Sequence, residues 1–143
     1  LRREGSDVTL VGVGATVQTA RDWQHARDVA LAVTAPLADV PPGDRLMTPD
    51  AGGFRYHTGH PGIVTPEDPL PVVEDALRRY DVRWLILERE FSTVALAPVL
   101  DRDIRPAWLS APITVVPDIA QPGRNAAALY AVCLTAADDR CRP

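Results

Sequence analysis

Apolar residues recur at helical spacing from about Thr16 to Ala38: Val17, Ala20, Trp23, Ala26, Val29, Ala30, Val33 and Leu37 fall on one stripe. Gln18, Arg21, Asp22, Gln24, Arg27 and Asp28 take the other side, so the pattern predicts a long amphipathic helix, stopped by Pro41-Pro42-Gly43. Beyond it the period changes. Asp44–Asp50 reads as a short strand closed by Pro49, Ala51–Gly59 as a short helix or structured loop, and Ile63–Thr65 as a second strand. Asp68 followed by Pro69 predicts a helix start. Its buried stripe is Val73, Ala76, Leu77 and Tyr80, with Glu74–Arg78 and Asp75–Arg79 pairs on the wet side. Val82–Leu87 is almost continuously apolar, as expected of a central strand covered on both faces. Ser92 or Thr93 is expected to cap a short helix through Leu100, and Arg102–Pro112 to form a loop. Ile113–Val116 and Leu129–Leu134 complete the strands, the last of them near an edge.

The alternation predicts an α/β fold, a three-layer sandwich with a mostly parallel, Rossmann-like sheet of about five strands and helices on both faces. Residues 1–15 read as a lead-in and 16–143 as one soluble domain. A chain of 143 residues suits that count, and buries enough surface to fold without a metal or disulfide staple. No apolar run approaches the 18 or so residues that a membrane span requires. The net charge of −4 removes a generic nucleic-acid binder from consideration, because no basic stripe faces a phosphate backbone. All 15 positive residues are Arg, a dispersed usage that fits compositional bias better than any anion site.

Chemistry is sparse along the chain. Gly12-Val13-Gly14-Ala15-Thr16-Val17 has the outline of a dinucleotide-binding turn, but Val17 stands where the third glycine belongs, and no acid-ended strand follows at the right interval. His57 and His60 offer ligand types in a Gly/Pro-rich loop whose spacing is not held by a helix, so no metal and no cofactor is expected. No nucleophile elbow, Walker loop or zinc-protease motif is visible, and no catalytic residue is assigned. Asp50, Glu67, Glu88 and Asp118 fall at inferred carboxyl ends of strands, the edge where open α/β sheets bind ligands. The candidate ligand contacts there are Asp50, Arg55, Tyr56, His57, His60, Glu88 and Arg89, a set of charged and aromatic groups suited to a sugar or headgroup. Cys133 and Cys141 read equally as two thiols or as the ends of a small closed loop.

One stretch carries a resemblance. Asp44-Arg-Leu-Met-Thr-Pro-Asp50, Phe54-Arg-Tyr-His-Thr-Gly-His-Pro-Gly-Ile-Val-Thr-Pro66, Asp68–Tyr80 and Val82-Arg-Trp-Leu-Ile-Leu-Glu88 follow one another in an order similar to the soluble C-terminal region of multi-pass bacterial GT-C glycosyltransferases, relatives of the protein-O-mannosyltransferases. The resemblance implies a non-catalytic domain on the extracytoplasmic face of the cell membrane, following the last membrane helix. The parent enzyme would be a transferase using a polyprenyl-phosphate sugar donor, with its catalytic acid in an earlier loop. The start at Leu1, without an initiator Met and with Arg2-Arg3 behind it, agrees with a piece of such a chain. Its partners would be the upstream transmembrane region and a lipid-linked sugar or acceptor, whose binding the domain would assist. An extracytoplasmic location also implies a Cys133–Cys141 disulfide. A freestanding Rossmann-like nucleotide or cofactor binder and a structural interaction domain stand as the alternatives.

Overall fold

The computed structural model describes residues 27–135 together with Gln24, Asp138 and Arg140. The 1–15 lead-in, the glycine-containing turn at 12–17, the start of the first helix and Cys141 lie outside the described residues. Helical residues 27–34 (α1) run into a 3-10 turn, Ala35–Asp39. There follow β1 (Arg45–Thr48), α2 (Ala51–Thr58), β2 (Gly62–Val64), α3 (Leu70–Arg79), β3 (Val82–Glu88), α4 (Ala97–Leu100), β4 (Leu109–Pro117) and β5 (Asn125–Val132). Among the described residues no helix is long and apolar enough to cross a membrane.

The five strands form one sheet in the order β2-β1-β3-β5-β4. The fold is α/β, and β3 is central, as its apolar run predicts. The sheet is mixed, which corrects the expectation of a mostly parallel one. β1 pairs in parallel with β2 and β3, whereas β5 is antiparallel to both β3 and β4. The reason is the short connection from Pro117 to Asn125, which cannot hold the dozen or more residues of a parallel crossover. It makes a hairpin instead. Asp118 Oδ1 accepts from the backbone N–H of Ala120 at 2.8 Å and of Gln121 at 3.0 Å, and Gly123 supplies the left-handed step at φ 88°. The hairpin seats β5 between β3 and β4, so β5 is an inner strand and β4 is the edge. β4 also starts at Leu109, inside the expected loop; Pro112 there sits at a register shift, where a missing N–H does no harm.

Successive residues of β3 serve two apolar clusters. Leu85 and Leu87 pack with Val73 and Leu77 of α3 and with Val99 and Leu100 of α4. Trp84 and Ile86 pack with Val29 and Val33 of α1, Leu37 and Phe54 of α2. This is the period-2 alternation of a strand covered on both sides. Helix ends follow local chemistry. Asp50 caps α2 by accepting from the Gly53 N–H at 2.9 Å, and a Cβ on Gly53 would collide with that carboxylate. α3 departs from its expected start. Pro69, not Asp68, is the N-cap: its carbonyl accepts from the Val72 and Val73 N–H groups, and no side chain caps the helix. Likewise no side chain caps α4. Val73 and Leu77 are fully buried, but Tyr80 is 46% exposed and leaves the stripe. Of the wet-side pairs, Arg78 and Glu74 meet at 2.7 Å. Cys133 is disulfide-bonded, and the expected pairing with Cys141 falls on a residue outside the described ones.

Candidate functional site

The three parallel strands give the sheet an amino edge, before Arg45, Gly62 and Val82, and a carboxyl edge, after Thr48, Val64 and Glu88. The hairpin turn belongs to the carboxyl edge, because Glu88 pairs with Ala127 near the start of β5. The β3 end is therefore flanked by three connections: β1 to α2, β3 to α4, and β4 to β5.

Between the last two lies a cavity of about 290 Å³ lined by Glu88, Arg89, Glu90, Phe91, Asp118 and Gln121, with the apolar Val29 and Ala126. Glu88 is the group with chemistry to offer. Burial first, and the nearby Asp50 and Glu90 carboxylates second, push its pKa up to about 7. Its backbone carbonyl accepts from Ser92 Oγ at 2.8 Å, while its carboxyl makes no hydrogen bond or ion pair among the described residues. A half-buried carboxyl that changes charge near neutral pH can donate a hydrogen bond as the acid or accept one as the carboxylate.

Arg89 behaves differently. Its Nε donates to the Asn125 carbonyl at 2.8 Å, its Nη2 donates to Asp101 Oδ1, and Asp118 Oδ2 stands 3.9 Å from Nε. The guanidinium hydrogen bond holds the Asp101 carboxyl below its ordinary range. Arg89 is thus a brace between the start of β5 and the end of α4, with little charge left for a ligand.

Three threonine hydroxyls mark the same edge. Thr48 closes β1, Thr65 follows β2 and Thr93 lies in the β3–α4 connection; each Oγ1 is buried with no partner among the described residues. Thr93 also lines a second hollow of about 530 Å³, with Glu67, Asp68, Pro69 and Ser92.

The seven expected contact residues do not share one cleft. Asp50, Glu88 and Arg89 stand at the carboxyl edge, and Glu88 and Arg89 line the cavity. Arg55, Tyr56 and His57 lie along α2 as it leaves that edge; all three are exposed, and Tyr56 packs edge-on against His57 with ring centres 5.3 Å apart. His60 is at the opposite end. It is 3% exposed, and its ring nitrogens face the Asp44 carbonyl at 3.2 Å and the Leu37 carbonyl at 3.3 Å. A short motif brought His57 and His60 together in sequence, but α2 ends between them at Gly59, which turns left-handed at φ 76° and sends the chain to the start of β2. Phe91, Asp118 and Gln121 were not among the expected contacts. Asp118 carried a signal, an acid at a strand end; Phe91 and Gln121 carried none. Set against known proteins, the chain matches no family model, no curated protein and no solved structure.

Proposed function

We propose that this chain is a non-catalytic accessory domain of a membrane glycosyltransferase, three-layered about its mixed sheet, whose carboxyl-edge cavity takes a neutral, hydroxylated group such as an acceptor sugar. In this reading it lies on the extracytoplasmic face of the cell membrane and works beside the transmembrane region of the same chain, which handles the lipid-linked donor. The observation that carries the ligand class is the uncommitted Glu88 carboxyl in a cavity that also presents Phe91 and Gln121. Carboxyl and amide groups exchange hydrogen bonds with sugar hydroxyls, and an aromatic ring covers the apolar face of a pyranose. A phosphate suits this place poorly. Glu88, Glu90 and Asp118 line it, and Arg89 is engaged by Asp101 and the Asn125 carbonyl. The other natural anion position, the N-terminus of α2, is filled by the Asp50 carboxylate, which weighs against the nucleotide-binding alternative.

The test is a titration of the protein by amide NMR with methyl α-mannopyranoside and, separately, with mannose 6-phosphate. The expected result is movement of the Glu88, Phe91 and Gln121 amides with the neutral sugar and little with the phosphate. Tighter binding of the phosphate, or no movement with either, overturns the ligand class. Protease accessibility in intact cells carrying the membrane-linked chain tests the location: cleavage of this domain from outside is expected, and protection overturns it.

A further inference from the structure

A third cavity, of about 160 Å³, lies apart from the carboxyl-edge site and shares no lining residue with it. Val99, Ile104, Ala111, Pro112 and the ring of Tyr130 wall it, and the only charges on its lining are the guanidinium groups of Arg102 and Arg105. The deep polar groups are already engaged: Tyr130 OH donates to the Val99 carbonyl at 3.2 Å, while Ser110 Oγ donates to the Ala111 carbonyl at 2.6 Å and accepts from the Ala131 N–H at 2.9 Å. The arginines are not. Neither side chain makes a hydrogen bond or ion pair among the described residues. Asp101, beside Arg102 in sequence, gives its carboxylate to Arg89, and Asp103 does not line the cavity.

The backbone adds a second observation. Arg102 follows the C-cap of α4 and sits in the left-handed region at φ 66°. That is the position where glycine commonly ends a helix without strain. The chain instead holds a long cationic side chain there, at the mouth of a small apolar cavity, and strained non-glycine residues concentrate at functional places.

We propose that this cavity binds a small amphiphilic anion, a phosphate or carboxylate clamped between Arg102 and Arg105, with a short apolar body against Val99, Ile104 and Tyr130. Guanidinium groups match such oxyanions in charge and fork geometry. The proposal goes beyond the carboxyl-edge reading and stands without it, since it uses other residues and the opposite charge.

Titration of the protein with butyl phosphate, butyrate and 1-butanol, followed by calorimetry and by amide NMR, tests it. At least one anion is expected to bind saturably, moving the amides of residues 102–105 and 110–111, with butanol weaker by about tenfold or more. Tighter butyl phosphate assigns a phosphate ester, and tighter butyrate a carboxylate. Arg102→Gly and Arg105→Ala are each expected to weaken the preferred anion by about tenfold or more. Arg102→Gly is also expected to melt at a higher temperature than the parent, because glycine relieves the left-handed strain, so its lost affinity cannot come from unfolding. Anion binding unchanged in both variants, butanol binding as tightly as either anion, or no saturable binding of either anion overturns the proposal.

Discussion

The two ends of the sheet treat their polar groups in opposite ways. At the amino end the buried His60 and Trp84 and the exposed Arg45 are each tied. His60 faces two backbone carbonyls, Trp84 Nε1 donates to Asp44 Oδ2 at 2.9 Å, and Arg45 donates to the Tyr80 carbonyl at 2.7 Å. At the carboxyl end, among the described residues, Glu88 has no hydrogen bond for its carboxyl, and the hydroxyls of Thr48, Thr65 and Thr93 have none either. Because an unmatched buried polar group carries a desolvation penalty, a fold keeps several together only where something other than stability is served. The amino end therefore reads as the part that holds the domain together, and the carboxyl end, under the proposed function, as the part left free to meet a ligand.

The comparison breaks most visibly at His60. Alanine there removes a nearly fully buried ring, takes away the N–H that one of the Leu37 and Asp44 carbonyls accepts from, and opens a void between the 3-10 turn and β1. A lost bond and a cavity together predict a destabilisation of about 3 kcal/mol, read as a lower urea midpoint at unchanged slope. Tyr56→Ala, on a side chain 86% exposed four residues earlier, is expected to stay within about 0.5 kcal/mol of the parent. A His60 variant as stable as the Tyr56 variant would mean that the amino end is not the locked end.

His60 also shows where sequence reading stops. A histidine three residues from another in a Gly/Pro-rich stretch offers ligand chemistry, and Gly59 marks the end of a short helix between the two, but nothing local says that the turn carries His60 to the opposite end of the sheet. The same limit explains the hairpin. Val82–Leu87 announces a central strand through its own composition, because burial on both faces must be written into the strand itself. The placement of β5 is decided by a connection too short for a crossover, and strand-like alternation in the chain does not tell direction. Local periodicity thus made β1, α3 and β3 legible. The mixed topology and the meeting of Phe91, Asp118 and Gln121 came from long-range closure. At the site, Glu88 could be read as an acid ending a strand, but the absence of a donor to its carboxyl among the described residues could not.

A second prediction concerns that isolation and has the opposite sign. Glu88 has its folded pKa raised from 4.5 to about 7, so the fold disfavours its charged form. Below the lower value the group is protonated in both states and nothing is lost. Between the two values the unfolded chain releases a proton that the folded chain retains, so stability falls as pH rises, and above about 7 the penalty is complete. A shift of this size corresponds to about 3 kcal/mol at full burial; a carboxyl open to a solvent-connected cavity keeps about 1–2 of that. Glu88→Gln is expected to gain about 1–2 kcal/mol at pH 8, to match the parent near pH 4, and to flatten the stability profile between. Urea midpoints across that range measure it. A Gln variant less stable than the parent at pH 8 would show that the carboxylate has a partner, and the contrast between the ends would lose its main support.

The smallest effect expected is the sharpest discriminator. Thr48 is fully buried at the end of β1, and its hydroxyl finds no partner, so valine, of the same shape and equally suited to a strand, removes a polar group that the fold leaves unmatched. Thr48→Val is expected to stabilise the protein by about 0.5–1 kcal/mol. Thr34 supplies the control: it is 8% exposed in α1, and its Oγ1 donates to the Ala30 carbonyl at 2.7 Å, so Thr34→Val surrenders a bond that exists and is expected to destabilise by about the same amount. Both substitutions replace the same hydroxyl by a methyl at buried positions and keep the β-branch, so the change in shape is common to both and hydrogen bonding is the difference tested. Thermal unfolding of both variants in one buffer resolves shifts of this size in a domain of this length. Opposite signs would place the unmatched hydroxyls at the carboxyl end by experiment. A loss at Thr48 equal to that at Thr34 would mean that Thr48 is satisfied after all, and that the carboxyl end is held as firmly as the amino end.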